Sequence, residues 1–312
     1  MKQTKIIKYL TFDKCTKSTV QVRLHAEELN VKRTILAGEI NMPFIGSVRT
    51  MFSKRFGTPR QGSLAESTLG IVQLDKQVLG DGALEGLETY SHAWLLFYFH
   101  ENSDEHKLNV LNSTTANAKK TFKGKIRPPG MLGAKTGVLS TRSPHRPSRL
   151  GLSLVKIVEV DLPNRRLVVS GVDLLDQTPI FDIKPFVPAD VPVGEIRYPD
   201  WVGKRANDGR SQDDAPLVVD FSDEAKFSLQ DILHKSNYTK MFLTSDVEKA
   251  CEVLRQALRL DIRAVYHDRY EVSDREFHVT FCEVGVHFVV GVGINGDSRP
   301  RLVVNRIDYD TV

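Results

Sequence analysis

The chain has 312 residues but only three cysteines, Cys15, Cys251 and Cys282. They are widely separated, odd in number and form no Cys-x-x-Cys pair, which argues against a disulfide framework and against a cysteine-rich zinc site. A reducing compartment, the cytoplasm, is the expectation, and no metal is expected at the functional site. Long apolar runs are missing too. The longest, residues 93–99, falls far short of the ~20 residues that a membrane helix needs, so it reads as a buried strand and no membrane partner is expected. The first 35 residues are basic, contain Asp13, Glu27 and Glu28, and lack an apolar core segment. A secretory signal is therefore not expected, and a mitochondrial presequence is the remaining targeting alternative.

A third absence is local. Residues 106–158 contain no Asp or Glu but carry eleven Lys and Arg, Arg127, Arg142, Arg146 and Arg149 among them. With the whole chain at +4, the remainder carries −7. A block of one sign attracts polyanions, nucleic acid being the commonest; a solvated basic loop is the alternative.

Residues 1–37 read as an N-terminal extension with strand character at 20–24. A first domain is expected over 38–190. Its runs at 69–74, 93–99, 137–141, 152–162 and 166–175 are rich in Val, Ile, Leu and aromatics, and turn signals such as Asp81-Gly82 and Pro163-Asn164 separate them. Short strands with few helical patterns predict a mainly β architecture, an antiparallel barrel or sandwich. Residues 191–228 are polar and read as a linker or long loop. Residues 229–312 read as a small α+β domain. In it, Ser245 and Glu248 form a capping box ahead of Val247, Ala250, Cys251, Leu254 and Leu258, which fall on one helical face.

Gly291-Val292-Gly293-Ile294-Asn295-Gly296 fits the G-x-G-x-x-G pattern of dinucleotide-binding folds. Only sixteen residues follow it, too few for the helix, strand and ribose-binding acid that the fold requires. Asn295-Gly296 is instead a type I′ turn signal, so a hairpin is predicted.

Four segments hold residues that folding alone does not explain. Residues 54–62 combine a Gly57/Pro59 turn with the planar donors Arg60 and Gln61. Residues 91–101 end an apolar strand in His100 and Glu101. Ile126-Arg127-Pro128-Pro129 and residues 141–147 place Arg127, Arg142, His145 and Arg146 among prolines, which lower the entropy lost when arginines bind a ligand. Residues 173–185 hold Asp173, Asp176 and Asp182. Taken singly, each has a structural explanation: a surface arginine, a strand-end histidine, a hairpin-closing aspartate.

Taken together, "PRQ", "LEGLETYSHAWLLFYFH", "IRPPGMLG", "GVLSTRSPHRPSRLGLSLVKI" and "GVDLLDQTPIFDIKPF" resemble, in order, the signatures of the TrmO (TsaA-like) family over about residues 46–190. The resemblance implies an antiparallel TsaA-like β-barrel with a small C-terminal α+β domain, acting as a homodimer. It implies S-adenosyl-L-methionine as cofactor and tRNA as partner. The implied reaction is N6-methylation of threonylcarbamoyladenosine beside the anticodon of threonine tRNAs. Carried over by motif, the cofactor-binding residues would be Pro59, Arg60, Gln61, His100, Glu101, Arg142 and Leu152, with Asp261, Ile262, Arg263 and Ala264 aligning with the family's Asp-Pro-Arg-Pro.

The chain departs from that pattern where Ser148-Arg149-Leu150-Gly151 replaces Asn-Pro-Ile-Gly, where Gln177 replaces a glycine, and where both prolines of the C-terminal motif are lost. Residues 102–125 look like an insertion. A base for the target nitrogen is sought among Asp173, Asp176, Asp182 and His145, with Asp173 first and His145 also retained. Arg127, Arg146 and Arg149 are expected on RNA phosphates. The alternative function is a non-catalytic RNA-binding module with the same barrel.

Overall fold

The computed structural model describes residues 9–16, 19–25, 39–101, 124–146, 148–202, 217–234, 244–259, 273–282, 284–292 and 300–309. Strands β1 (Tyr9–Thr16), β2 (Thr19–His25) and β3 (Glu39–Pro43) form a three-stranded antiparallel sheet. Residues 39–43, inside the span of 38–190 expected for the first domain, thus pair with the N-terminal hairpin.

Strands β4 (Gly46–Thr50), β5 (Leu69–Leu74) and β6 (His92–Tyr98) follow. A two-residue ribbon, β7 (Lys125–Ile126) with β8 (Thr136–Gly137), leads to β9 (Leu150–Asp161), β10 (Arg166–Ser170) and β11 (Thr178–Pro185). The six longer strands close into a barrel in the order β10-β5-β4-β11-β6-β9, which is one of the two architectures that the short strands left open and the one that the resemblance implied. Alternate residues point inward. Val48, Val72, Leu95, Phe97, Val155, Leu167, Val169 and Ile180 build the core.

The twelve-residue β9 makes closure possible. Its first half pairs with β6, Leu150 opposite Tyr98 through Lys156 opposite His92. Its second half pairs with β10, from Lys156 to Asp161. The start of β9 is therefore not paired on its β10 side, and the functional loops gather along that opening.

The expected strand at 137–141 is shorter than its composition suggested. Only Thr136–Gly137 pairs; Val138–Ser140 forms a 3-10 turn. Val138 is buried while Leu139 faces solvent, so the apolar run lacks the two-sided burial of a core strand.

The C-terminal unit begins earlier than the polarity of 191–228 indicated. Strand β12 (Val218–Phe221) and helix α1 (Asp223–His234) precede helix α2 (Val247–Leu258) and strands β13 (Ser273–Phe281), β14 (Val284–Val292) and β15 (Pro300–Tyr309). The sheet order is β12-β15-β14-β13, with β12 parallel to β15 and the other pairs antiparallel. Gly291 and Val292 thus end an antiparallel strand, as a hairpin requires; Asn295 and Gly296 lie outside the described residues. Helix α2 is capped by Asp246, whose carboxylate accepts from the amides of Glu248 and Lys249. Asp246 takes the place expected of Ser245, because its carboxylate reaches the same first-turn donors.

Candidate functional site at the barrel mouth

The connection from β4 to β5 carries Pro59-Arg60-Gln61 and is clamped by the C-terminal unit. Met51 and Phe52 sit in that unit's core with Phe281, Val286 and Leu254. Cys282 N–H donates to Met51 O at 2.7 Å, and Gln256 Oε1 accepts from Ser67 N–H at 2.8 Å. Gly57, at φ +92°, lies so close to Val279 and Phe281 that a Cβ would meet both within 3.0 Å. The loop is therefore held at both ends, with Arg60 and Gln61 exposed between them and Pro59 buried.

Its next residue, Gly62, packs on the turn after β10. A Cβ there would fall 1.7 Å from Gly171 O, a contact that only glycine permits. From this position the Gly62 amide donates to the Asp173 carboxylate. Ser153, buried and inward-facing on β9, donates its hydroxyl to Asp173 Oδ1 at 2.7 Å. Burial pushes the Asp173 carboxyl above its usual range, while Ser153, the backbone amides and the nearby Arg142 charge pull the other way. Desolvation of the charged form outweighs these donors.

Arg142 closes the cluster. Its Nη2 donates to Leu152 O at 2.6 Å, on the stretch of β9 that pairs with β6 but not with β10. Leu152 points outward and is 47% exposed, an apolar surface beside two polar loops. The structure thus brings together the Pro-Arg-Gln loop, Arg142, Leu152 and Asp173, which the sequence singled out. It adds Ser153 and Gly62, which the sequence reading missed. Ser153 was findable: it lies in phase with the inward Val155 on a strand of period two.

His100 and Glu101 stand at the other end of the 173–178 loop. His100 Nδ1 lies 3.5 Å from Thr178 Oγ1, and its Nε2 is 3.9 Å from Glu101 Oε1. Burial lowers the imidazole pKa, partly offset by the carboxylates of Glu101 and Asp176. Asp176 is fixed by the Thr50 amide at 3.0 Å on Oδ1 and by Gln177 Nε2 at 3.2 Å on Oδ2. Gln177, in place of the family's glycine, holds φ +62°, so the left-handed turn is kept without glycine.

Other expectations land elsewhere. Asp182 pairs with Lys184 at 2.9 Å along β11. His145 is exposed, its amide accepted by Ser143 Oγ at 3.2 Å. Arg127 is exposed and donates to Gly133 O at 3.0 Å. Arg146 turns back onto its own loop, donating to the carbonyls of Thr141, Ser143 and Val138, so its donors hold the loop and are not presented to a phosphate. Arg149 is 1% exposed, which corrects its expected place on RNA. It falls in the inward phase of Gly151, Ser153 and Val155, and β-strand alternation turns it away from solvent. Its Nη1 faces Tyr98 OH at 3.4 Å, while Nε and Nη2 are buried with no partner. Asp261, Ile262, Arg263 and Ala264 lie outside the described residues.

A closed six-stranded antiparallel barrel, with an α+β unit clamping its β4–β5 loop and a half-buried acid among arginine-bearing loops at its mouth, defines the class. Residues 47–190 match the family model of the tRNA-methyltransferase O N-terminal domain. RcsF of Pseudomonas aeruginosa PAO1 is 31% identical over 246 residues, covering 78% of this chain and 90% of that protein. The chain belongs to the TrmO family. The tRNA (adenine(37)-N6)-methyltransferase of Mus musculus is 38% identical over 50% of this chain, and that of Escherichia coli K12 34% identical over 46%. The matched segment spans only about a third of the mouse protein (33%) and 56% of the E. coli one. A crystal structure of TrmO superposes with a TM-score of 0.58 at 26% identity, covering 85% of this chain and 96% of that one. TrmO from P. aeruginosa gives 0.56 at 28%, covering 85% and 97%.

Proposed function

We propose that this chain is an S-adenosylmethionine-dependent methyltransferase that N6-methylates threonylcarbamoyladenosine beside the anticodon of threonine tRNAs. In this reading it works in the cytoplasm as a homodimer. The observation that carries the proposal is the Asp173 carboxyl, half-buried beside the Pro-Arg-Gln loop, bonded by Ser153 and Gly62, and close to Arg142. The names of the mouse and E. coli relatives state adenine-37 N6-methylation, and that of RcsF refers to S-adenosylmethionine-dependent methyl transfer.

The residues present suit that methyl donor. Its carboxylate calls for a guanidinium, and Arg60 and Arg142 are exposed at the mouth. Its ammonium and sulfonium call for anions, and Glu101 and Asp176 flank His100. Its adenine calls for an apolar surface, which the exposed Leu152 side chain supplies. When bound, S-adenosylmethionine supplies an electrophilic methyl group for in-line transfer.

The chain's own contribution is alignment, exclusion of water and removal of a proton. The target nitrogen bears a carbamoyl group and is a poor nucleophile. Asp173, its pKa raised by burial, accepts the proton more readily than an ordinary carboxylate. Ser153 and Gly62 hold the carboxylate in place through the transfer. With Arg146 and Arg149 committed within the protein, the phosphate contacts fall to the exposed Arg127, Lys125 and Lys135. The test is nucleoside mass spectrometry of threonine tRNA incubated with the purified chain and labelled S-adenosylmethionine. Label in the modified adenosine is expected with wild type and not with Asp173→Asn. Binding of tRNA without any affinity for S-adenosylmethionine would instead favour the non-catalytic RNA-binding module.

A further inference from the structure

The solvent face of the C-terminal sheet carries a cluster that the barrel chemistry leaves unused. Val279, Phe281, Val286, Phe288, Val304 and Ile307 are buried in the core that α1 and α2 complete. On the opposite face, three adjacent strands each place one metal-ligating side chain: His278 on β13, His287 on β14 and Asp308 on β15. His278 and His287 are direct cross-strand partners, with ring centroids 4.5 Å apart. One donor atom from each of His278, His287 and Asp308 lies within 4.8 Å of the other two.

We propose that His278, His287 and Asp308 form a binding site for a divalent late transition metal, Zn2+ in the first instance, clamping the three strands. Two imidazoles and one carboxylate suit Zn2+, Ni2+ or Cu2+ and disfavour Mg2+ and Ca2+, which take oxygen ligands. His287 Nε2 and Asp308 Oδ2 are 3.0 Å apart, close to the spacing of about 3.3 Å between neighbouring ligands on a tetrahedral ion with bonds of about 2.0 Å. Glu276 Oε2 lies 3.4 Å from His287 Nδ1, and Glu276 Oε1 accepts from Asn305 Nδ2 at 3.0 Å. A carboxylate on the far nitrogen of a ligating imidazole fixes its tautomer. Here Glu276 on Nδ1 would leave the Nε2 lone pair for an ion shared with Asp308.

A competing cation stands beside the site. Arg306 Nη2 is 3.2 Å from both ring nitrogens of His287, and its Nε is 3.4 Å from Asp308 Oδ2. The Arg306 side chain is exposed, so a bound ion displaces it toward solvent. That competition separates a metal site from a surface ion pair: removing Arg306 strengthens the former and weakens the latter. No sequence spacing announces the cluster, because its ligands come from three strands and meet only through register.

The experiment is calorimetric titration of the chelator-stripped full chain with ZnCl2, together with the visible absorption of the Co2+-loaded chain. Expected are one Zn2+ per chain, a rise in melting temperature, and a tetrahedral Co2+ spectrum. His278→Ala, His287→Ala and Asp308→Ala should each weaken binding by at least about tenfold and Glu276→Gln by about tenfold. Arg306→Ala should tighten it, and His234→Ala, on α1, should leave it unchanged. Wild type that takes up no Zn2+, or gives only the hexa-aqua Co2+ spectrum, overturns the proposal without recourse to variants. So does stoichiometric binding that survives His278→Ala and His287→Ala, whose folding circular dichroism verifies.

Discussion

The hydroxyl of Ser153 donates to Oδ1 of Asp173 at 2.7 Å, joining an inward position of β9 to the loop that closes the barrel mouth. Ser153 is buried at 6% exposure, so the carboxylate has little water to replace that bond. Burial raises the Asp173 pKa despite it. The folded protein therefore binds this proton more tightly than the unfolded chain. The stability that the group contributes is full below its ordinary carboxylate pKa and is lost as pH rises through the raised folded value. Asp173→Asn should accordingly melt no lower than wild type at neutral pH, and wild type should gain on it as pH falls. The same variant should lose about 10²- to 10⁴-fold in methyl transfer. Thermal melts across pH, paired with single-turnover assays, check both; an active Asp173→Asn rules out Asp173 as the base.

Arg142 has two tasks at once: its guanidinium holds Leu152 O and its charge lowers the Asp173 pKa. Arg142→Met keeps the length and removes both. S-adenosylmethionine affinity should fall about tenfold or more. The acidic limb of the pH–rate profile should move to higher pH, because the carboxyl loses a stabilising cation. A loss of affinity with an unmoved profile would assign Arg142 to binding alone.

His100 has the opposite sign. Its pKa is lowered by burial, against the pull of Glu101 and Asp176. The unfolded chain therefore takes up this proton first, and the stability that His100 contributes is present above the ordinary imidazole value of 6.5 and is lost as pH falls below it toward the folded value. His100→Gln should flatten that part of the acid decline, read as the difference in melting temperature between about pH 7.5 and about pH 5.5. An unchanged slope would mean that other groups carry the acid sensitivity.

Much of this site was legible in order along the chain, because its residues cluster in short motifs: Arg60 and Gln61 after a turn, His100 at a strand end, Arg142 among prolines, Asp173 after an apolar run. A mainly β domain was legible from apolar runs such as 69–74 and 166–175, which left barrel or sandwich open, and the family resemblance implied the barrel. What failed to show were relationships created by register and closure. Arg149 read as one more cation in a basic block, yet two residues on from it the strand already alternates inward, and the phase of β9 buries it. Val218–Phe221 read as linker because a four-residue strand between polar segments is too short to signal itself; its parallel pairing with β15 supplies the burial. Ser153 and Gly62 carry no chemical signal alone and matter only where the barrel brings them to Asp173.

Arg149 combines two costs. Its backbone sits at φ +48°, a region that disfavours side chains bearing a Cβ, and its Nε and Nη2 are buried with no partner. Arg149→Met retains the volume and removes the desolvated charge. Replacing buried ionic groups by apolar ones of similar size is often stabilising, and a gain of about 2 kcal/mol in denaturant unfolding is expected. A loss of similar size would show that the guanidinium is satisfied in solution.

Gly62 offers the sharpest test of whether loop position and chemistry are one property. A methyl group added there meets backbone, the Gly171 carbonyl at 1.7 Å for the oxygen and 2.6 Å for the carbon, so no rotamer change can relieve it. Either the 59–62 loop or the turn at Gly171, itself at φ +72°, has to move, and each motion draws the Gly62 amide away from Asp173. Gly62→Ala should therefore cost about 2–4 kcal/mol of stability and raise the pKa governing turnover, since the carboxylate loses a donor. Ser63→Ala, one residue on and exposed, should stay within about 0.5 kcal/mol of wild type with an unchanged pH profile. If Gly62→Ala were destabilised yet kept the wild-type pH profile, the amide contact would be packing only, and the control of Asp173 basicity would rest with Ser153 and Arg142.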